Sequence, residues 1–175
     1  MPRLDPRRGI FAVIDLQARL MPAILGGAAV VANTRRLLAA AGMLAVPTLF
    51  TEQNPRGLGT TVPELAPDPA SVVSKMTFDA TPALIDHLPD GHAVVLAGCE
   101  AHVCVLQTAL GLLERGRPVY VVEDAVGSRT AENKAAGLRR MAAAGAEIIT
   151  TEMAVFEWLE SAEHPRFREV VALIK

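Results

Sequence analysis

The 175-residue chain is short of several things, and each shortage narrows what it can be. It has two cysteines, Cys99 and Cys104, too few for a disulfide framework, and their separation of five positions matches no zinc-ligand spacing. It lacks an excess of charge of either sign. With 17 basic and 19 acidic residues its net charge is -2, which gives no reason to expect nucleic acid or an anionic membrane as partner. No apolar run approaches the roughly 18 residues that a membrane span requires. Arg3, Arg7 and Arg8 precede an apolar run as in a signal peptide, but that run lasts only from Ile10 to Ile14 before Asp15 stops it. No Gly-x-Gly-x-x-Gly or phosphate loop follows a strand-like run, and Gly57 and Gly59 lie in a loop without that context. No repeat, low-complexity tract or linker divides the chain. The expectation is a soluble, cytoplasmic, single domain over residues 1–175. Its composition of 51% hydrophobic and 21% charged residues is that of a globular protein with a core.

What is present alternates between two periodicities. Continuous apolar runs at Ile10–Ile14, Val46–Phe50 and Ala93–Ala97, the short run Ser71–Lys75, and the runs Pro118–Val122 and Ala146–Thr150 predict strands, the central ones covered on both faces. Between them Gly26–Gly42, Thr81–Leu88, Val103–Leu113 and Thr130–Ala144 predict helices. Glu152–Leu159 and Pro165–Ile174 add two more at the end. Residues 51–69, rich in Gly, Pro and Thr, predict a long loop, either functional or disordered. Strands alternating with helices argue for an α/β fold with a mainly parallel sheet.

In such sheets ligands bind beyond the carboxyl ends of the strands. Asp15, Lys75 and Cys104 each lie at or just after the end of a different strand. Asp15 follows five apolar residues, so its carboxylate should be desolvated and in need of a counter-charge, which Lys75 can supply. Cys104 follows an elbow, Gly98 to His102, and opens a helix, where amides and dipole favour a thiolate. Lys75 would favour that thiolate further, and Asp15 could accept the thiol proton and return it to a leaving amine. Backbone amides at the elbow and helix start could hold a tetrahedral oxyanion. Each residue also has a structural reading: a turn former, a solvated lysine, a small buried thiol.

The stretches AVIDLQ, SKMTFDA, GCEAHVCVLQTALGLLERG, VVEDAVGSR and RRMAAAGAEIITTEMAVFEWL resemble the isochorismatase-like cysteine hydrolase superfamily, which includes nicotinamidases and N-carbamoylsarcosine amidohydrolases. TEQNPRGLGTTVPEL and HPRFREVVALIK resemble its small isochorismatase domain-containing group. The resemblance implies a three-layer α/β/α, Rossmann-like fold with a six-stranded parallel sheet of order 3-2-1-4-5-6 and helices on both faces. It implies Asp15, Lys75 and Cys104 as catalytic triad, a cis peptide between Cys99 and Glu100, and the amides of Glu100 and Cys104 as oxyanion hole. The implied reaction is attack of Cys104 on a small amide-like substrate, a covalent acyl-enzyme, and hydrolysis by water that Asp15 activates. The chain departs from two relatives. Nicotinamidases carry an Asp-x-His-x-x-His metal site after the second strand, whereas Thr51-Glu52-Gln53-Asn54 has no histidine, so no metal or other cofactor is expected. True isochorismatases lack the cysteine nucleophile.

Gln17, Phe78 and His102 are candidate substrate contacts, though the first two could be packing and the third a solvated turn residue. Cys99 reads as a small buried residue, and Phe156 and Trp158 as packing or interface. The helix from Val103 to Leu113 is apolar on nearly every side, so a subunit is expected to cover its outer face in a homo-oligomer. A non-catalytic scaffold retaining the fold is the competing functional class.

Overall fold

The computed structural model describes residues 3–175. Six strands form one sheet: β1 (Gly9–Ile14), β2 (Thr48–Gln53), β3 (Val72–Lys75), β4 (Ala93–Cys99), β5 (Val119–Gly127) and β6 (Glu147–Ile149). Their order is β3-β2-β1-β4-β5-β6 and every pairing is parallel. The helices are α1 (Gly27–Met43), α2 (Pro55–Leu58), α3 (Thr81–Leu84), α4 (Cys104–Glu114), α5 (Ala131–Ala143), α6 (Thr151–Leu159) and α7 (Phe167–Val171).

Side chains alternate across the pleat, and the two faces collect different helices. Phe11 and Val13 of β1, Val95 and Ala97 of β4 and Val122 of β5 pack with Leu37 and Ala41 of α1, Val155 and Trp158 of α6 and Val170 of α7. Phe11 and Trp158 meet edge to face with ring centroids 6.1 Å apart. On the other face Ile10, Ala12 and Ile14, Val94 and Leu96 pack with Leu84 of α3, Leu112 of α4 and Met141 of α5. The three-layer α/β/α arrangement follows.

The structure departs from the sequence reading at several boundaries. β2 does not stop at Phe50; Thr51, Glu52 and Gln53 continue it, all buried. β5 runs on through Glu123 and Asp124 to Gly127, and its pairing with β4 shifts register between Leu96 and Gly98. Residues 54–71 hold α2 and two short 3-10 turns, Pro63–Leu65 and Pro69–Ser71. Gly42 lies inside α1, which ends at Met43 with Leu44 as its cap. Pro165–Ile174 yields only the five residues of α7. The argument that α4 needs a subunit over its outer face also changes. α4 lies beside α3 and α5, and Val105, Leu106, Ala109, Gly111 and Leu112 are buried within the one chain. Gln107 and Glu114 are its exposed positions, so its apolarity is mostly met internally.

Candidate active site

In the sequence 3-2-1-4-5-6 the strand order reverses between β1 and β4, and the carboxyl ends of those strands flank the crevice. Asp15 is the first residue past β1, with a left-handed backbone (φ 50°) that turns the chain sharply at the strand end. β4 reaches it through Gly98. A Cβ there would stand 2.0 Å from the Ile14 carbonyl oxygen, and φ is +125°, so only glycine lets the elbow approach Asp15 this closely. The peptide between Cys99 and Glu100 is cis. Cys104 then opens α4, and as a first-turn residue its N–H has no partner within the helix.

Lys75 ends β3, on the far side of β2 from Asp15. Its side chain crosses the end of β2, and Nζ lies 2.6 Å from Asp15 Oδ2. The pair is enclosed, with Asp15 0% and Lys75 6% exposed. Nζ also donates to Gln53 Oε1 at 2.8 Å and to the carbonyls of Thr77 and Phe78 at 3.1 and 3.4 Å. These four oxygens anchor Nζ and fix Lys75 beside Asp15.

The second Asp15 oxygen, Oδ1, accepts from Thr51 Oγ1 at 2.7 Å. Cys104, 7% exposed, interacts with the Asp15 side chain and with the Glu100 amide by hydrogen bonds. Burial pushes the Cys104 thiol up to about 12, the Asp15 charge adds to this, and Lys75 opposes it without prevailing. The expectation of a resting thiolate is thus corrected. Near neutral pH Cys104 is a thiol hydrogen-bonded to a carboxylate, and the helix start does not offset desolvation. What the arrangement offers is a base in contact with a nucleophile, so the proton can leave during attack.

The other candidates fall differently. The Glu100 carboxylate takes the Arg129 N–H at 2.9 Å and Nε at 3.1 Å, leaving its amide to serve the site. His102 lies in the elbow turn, half-buried, with Nδ1 3.0 Å from Ser128 Oγ. The Phe78 ring is exposed on the segment after Lys75. Gln17 is fully buried; its Nε2 donates to the carbonyls of Gln53 and Gly59 and its Oε1 accepts from the Gln53 N–H. Every polar atom of that amide is engaged with backbone, so Gln17 clamps the 53–59 segment and has no free group to offer a ligand. Cys99 is enclosed, and burial pushes its thiol up to about 12.

Thr51 and Gln53 are site residues that the sequence reading passed over. They occupy alternate positions of β2, so both project to the same side. That spacing was available as a signal, but only with β2 extended past Phe50. At the β2 end the donors do not fit a nicotinamidase-type metal. Glu52 accepts from the Thr61 N–H and hydroxyl at 2.7 and 2.9 Å, and no group of three or more His, Cys, Asp or Glu stands ready for an ion among the described residues. Clefts of about 460 and 440 Å³ open around Arg3 and Asp5 at the amino ends of the strands, the opposite edge from this chemistry.

A doubly wound, all-parallel sheet of order 3-2-1-4-5-6 between two helix layers defines a Rossmann-like α/β/α class of protein. The isochorismatase domain matches residues 10–153, and the chain belongs to that family, with its hydrolase fold. It is 41% identical over 177 residues to mouse isochorismatase domain-containing protein 2A, covering 99% of this chain and 85% of that protein. The structure of a MAR1 ribonuclease from Caenorhabditis elegans superposes with a TM-score of 0.91 at 37% identity, over 99% of this chain and 92% of that one. YcaC of Escherichia coli, described as an octameric hydrolase of unknown specificity, superposes at 0.85 with 25% identity, over 99% and 88%. YcaC of Pseudomonas aeruginosa, solved with covalent acrylamide, does so at 0.83 with 25% identity, over 98% and 91%.

Proposed function

We propose that this protein is a cysteine hydrolase that cleaves the C–N bond of a small amide-like substrate through an acyl-enzyme on Cys104, with Asp15 as general acid and base. The observation that carries the reading is the buried contact among three residues, with Asp15 bound to Lys75 at 2.6 Å on one side and to the Cys104 thiol on the other. The thiol proton passes to Asp15 as sulfur attacks the carbonyl carbon. The amides of Glu100 and Cys104 receive the oxyanion. Asp15 returns the proton to the nitrogen as the C–N bond breaks. A water then gives its proton to Asp15 and attacks the acyl carbon, the C–S bond breaks, and sulfur recovers its proton. Lys75 holds Asp15 in place through the 2.6 Å contact. No metal takes part in these steps.

The covalent acrylamide on a YcaC relative supports a reactive group in this fold. The octameric relative supports a homo-oligomer, and two unpaired thiols suit the reducing cytoplasm. The ribonuclease name of the C. elegans relative suggests another substrate class. Against it stands the charge at the thiol, where Asp15 would repel a phosphodiester and Lys75 is already saturated. A pool of small amides and esters tests the proposal. Intact mass should show an acyl adduct that maps to Cys104 and disappears in Cys104→Ala, with amine released. Cleavage of RNA that survives Cys104→Ala would replace this reading, and an inert wild type whose binding partners tolerate the substitution would favour the scaffold.

A further inference from the structure

Thr51 has no part in the steps above, yet it grips the base by both side chain and backbone. It is 1% exposed and lies 36 positions from Asp15 in the chain. Its hydroxyl donates to Asp15 Oδ1 at 2.7 Å, and its carbonyl accepts the Asp15 N–H at 3.1 Å. Its Cα is in register with Ile14, the residue before Asp15, so strand pairing fixes where that hydroxyl stands.

We propose that Thr51 is a positioning residue for the acid–base step, holding the Asp15 carboxylate in one rotation and steering the proton taken from Cys104 to the part of the carboxylate that faces the reacting bond. The inference rests on the cysteine-hydrolase reading. A carboxylate offers about four lone-pair sites. A site that accepts a hydrogen bond takes up a proton only if its donor withdraws. Lys75 occupies Oδ2 and is itself held by Gln53 and by the carbonyls of Thr77 and Phe78. Thr51 occupies Oδ1 from a paired strand. Neither donor is free to leave. The proton released by the thiol is therefore confined to the remaining lone pairs toward Cys104, where it can next reach the leaving nitrogen. Without the hydroxyl, Oδ1 is a buried oxygen with a vacant lone pair, and the carboxylate can rotate or hold the proton where it serves neither step.

The probe is p-nitrophenyl acetate, read by nitrophenolate release and by the acetyl mass on Cys104. Thr51→Val keeps the shape and removes the donor; Thr51→Ser keeps the donor. Thr51→Val should lower kcat by about tenfold to a hundredfold with KM little changed. Thr51→Ser should stay near wild type, and in an Asp15→Asn background Thr51→Val should cost nothing further, because it acts through Asp15. Should the valine variant fold poorly in thermal melts, Thr51→Ala is compared with Thr51→Ser in its place. Wild-type turnover by the donor-less variant, serine as slow as valine, or an undiminished loss on top of Asp15→Asn would each overturn the role of Thr51 alone. Absence of acetyl on Cys104 in the wild type would instead overturn the hydrolase reading and this inference with it.

Discussion

Asp15 does two opposed things to Cys104. Its charge and its hydrogen bond hold the thiol protonated, and the same contact gives the proton somewhere to go once sulfur begins to attack. The residue that adds to burial in weakening the resting nucleophile is, in the proposed reaction, the one that takes its proton during attack. A prediction separates the two effects. Asp15→Asn removes a negative charge and an acceptor that both favour the neutral thiol, so the Cys104 midpoint should fall below its value of about 12. In a pH titration of ultraviolet thiolate absorbance, with Cys104→Ala subtracted, the Asp15→Asn signal should emerge at lower pH than wild type. Its turnover should nonetheless drop by about a hundredfold or more, since the base is gone. A thiol that titrates unchanged or later would mean that Asp15 does not act on the sulfur. At this scale the sequence was half legible. Asp15, Lys75 and Cys104 stand out as polar groups at the ends of apolar runs. The sign of the thiol shift did not, because it depends on how deeply Cys104 sinks and on a carboxylate 89 positions earlier in the chain.

At the level of elements, the site depends on how closely helices reach the elbow. Gly137 of α5 is a point of close approach: a Cβ there would sit 2.8 Å from the Ala101 carbonyl oxygen and 2.9 Å from the His102 Cα. These are backbone atoms of the turn that delivers Cys104, and they cannot swing aside as a side chain would. Gly137→Ala should therefore push α5 away from the elbow. The expected cost is about 1–3 kcal/mol in urea denaturation, together with slower acetylation of Cys104, because the displaced turn carries the amides proposed to hold the oxyanion. Full stability with full acetylation would show that the elbow tolerates displacement. The element boundaries also show where local pattern fails. The sequence points to a strand end at Phe50 because Thr51, Glu52 and Gln53 open the stretch 51–69 that is rich in Gly, Pro and Thr. They stay in the strand because partners distant in the chain satisfy them: Asp15 for Thr51, Thr61 for Glu52, Lys75 for Gln53. The strand order and the two helix layers followed from the family resemblance and the alternation of elements, which tolerate such boundary errors.

For the whole molecule, two of the exposed large apolar side chains lie near the site and none lies along α4. Met76 and Phe78, 71% and 52% exposed, project from the segment whose carbonyls hold Lys75 and Gln53. With an octameric relative in view, light scattering at micromolar concentration is expected to give a mass well above that of one chain. A monomeric mass would remove oligomerisation from the proposal. The enclosure of Cys99 has a consequence of a different kind. Cys99 ends the long central strand β4, is 0% exposed, and has its ionisation suppressed by burial. In an unfolded chain the same thiol returns to ordinary acidity and to solvent. In a Cys104→Ala protein, where it is the remaining cysteine, its capture by iodoacetamide should proceed only when the sheet opens. At iodoacetamide concentrations where capture outpaces refolding, its rate would then serve as a clock for the native lifetime, read from a single natural sulfur without any introduced label.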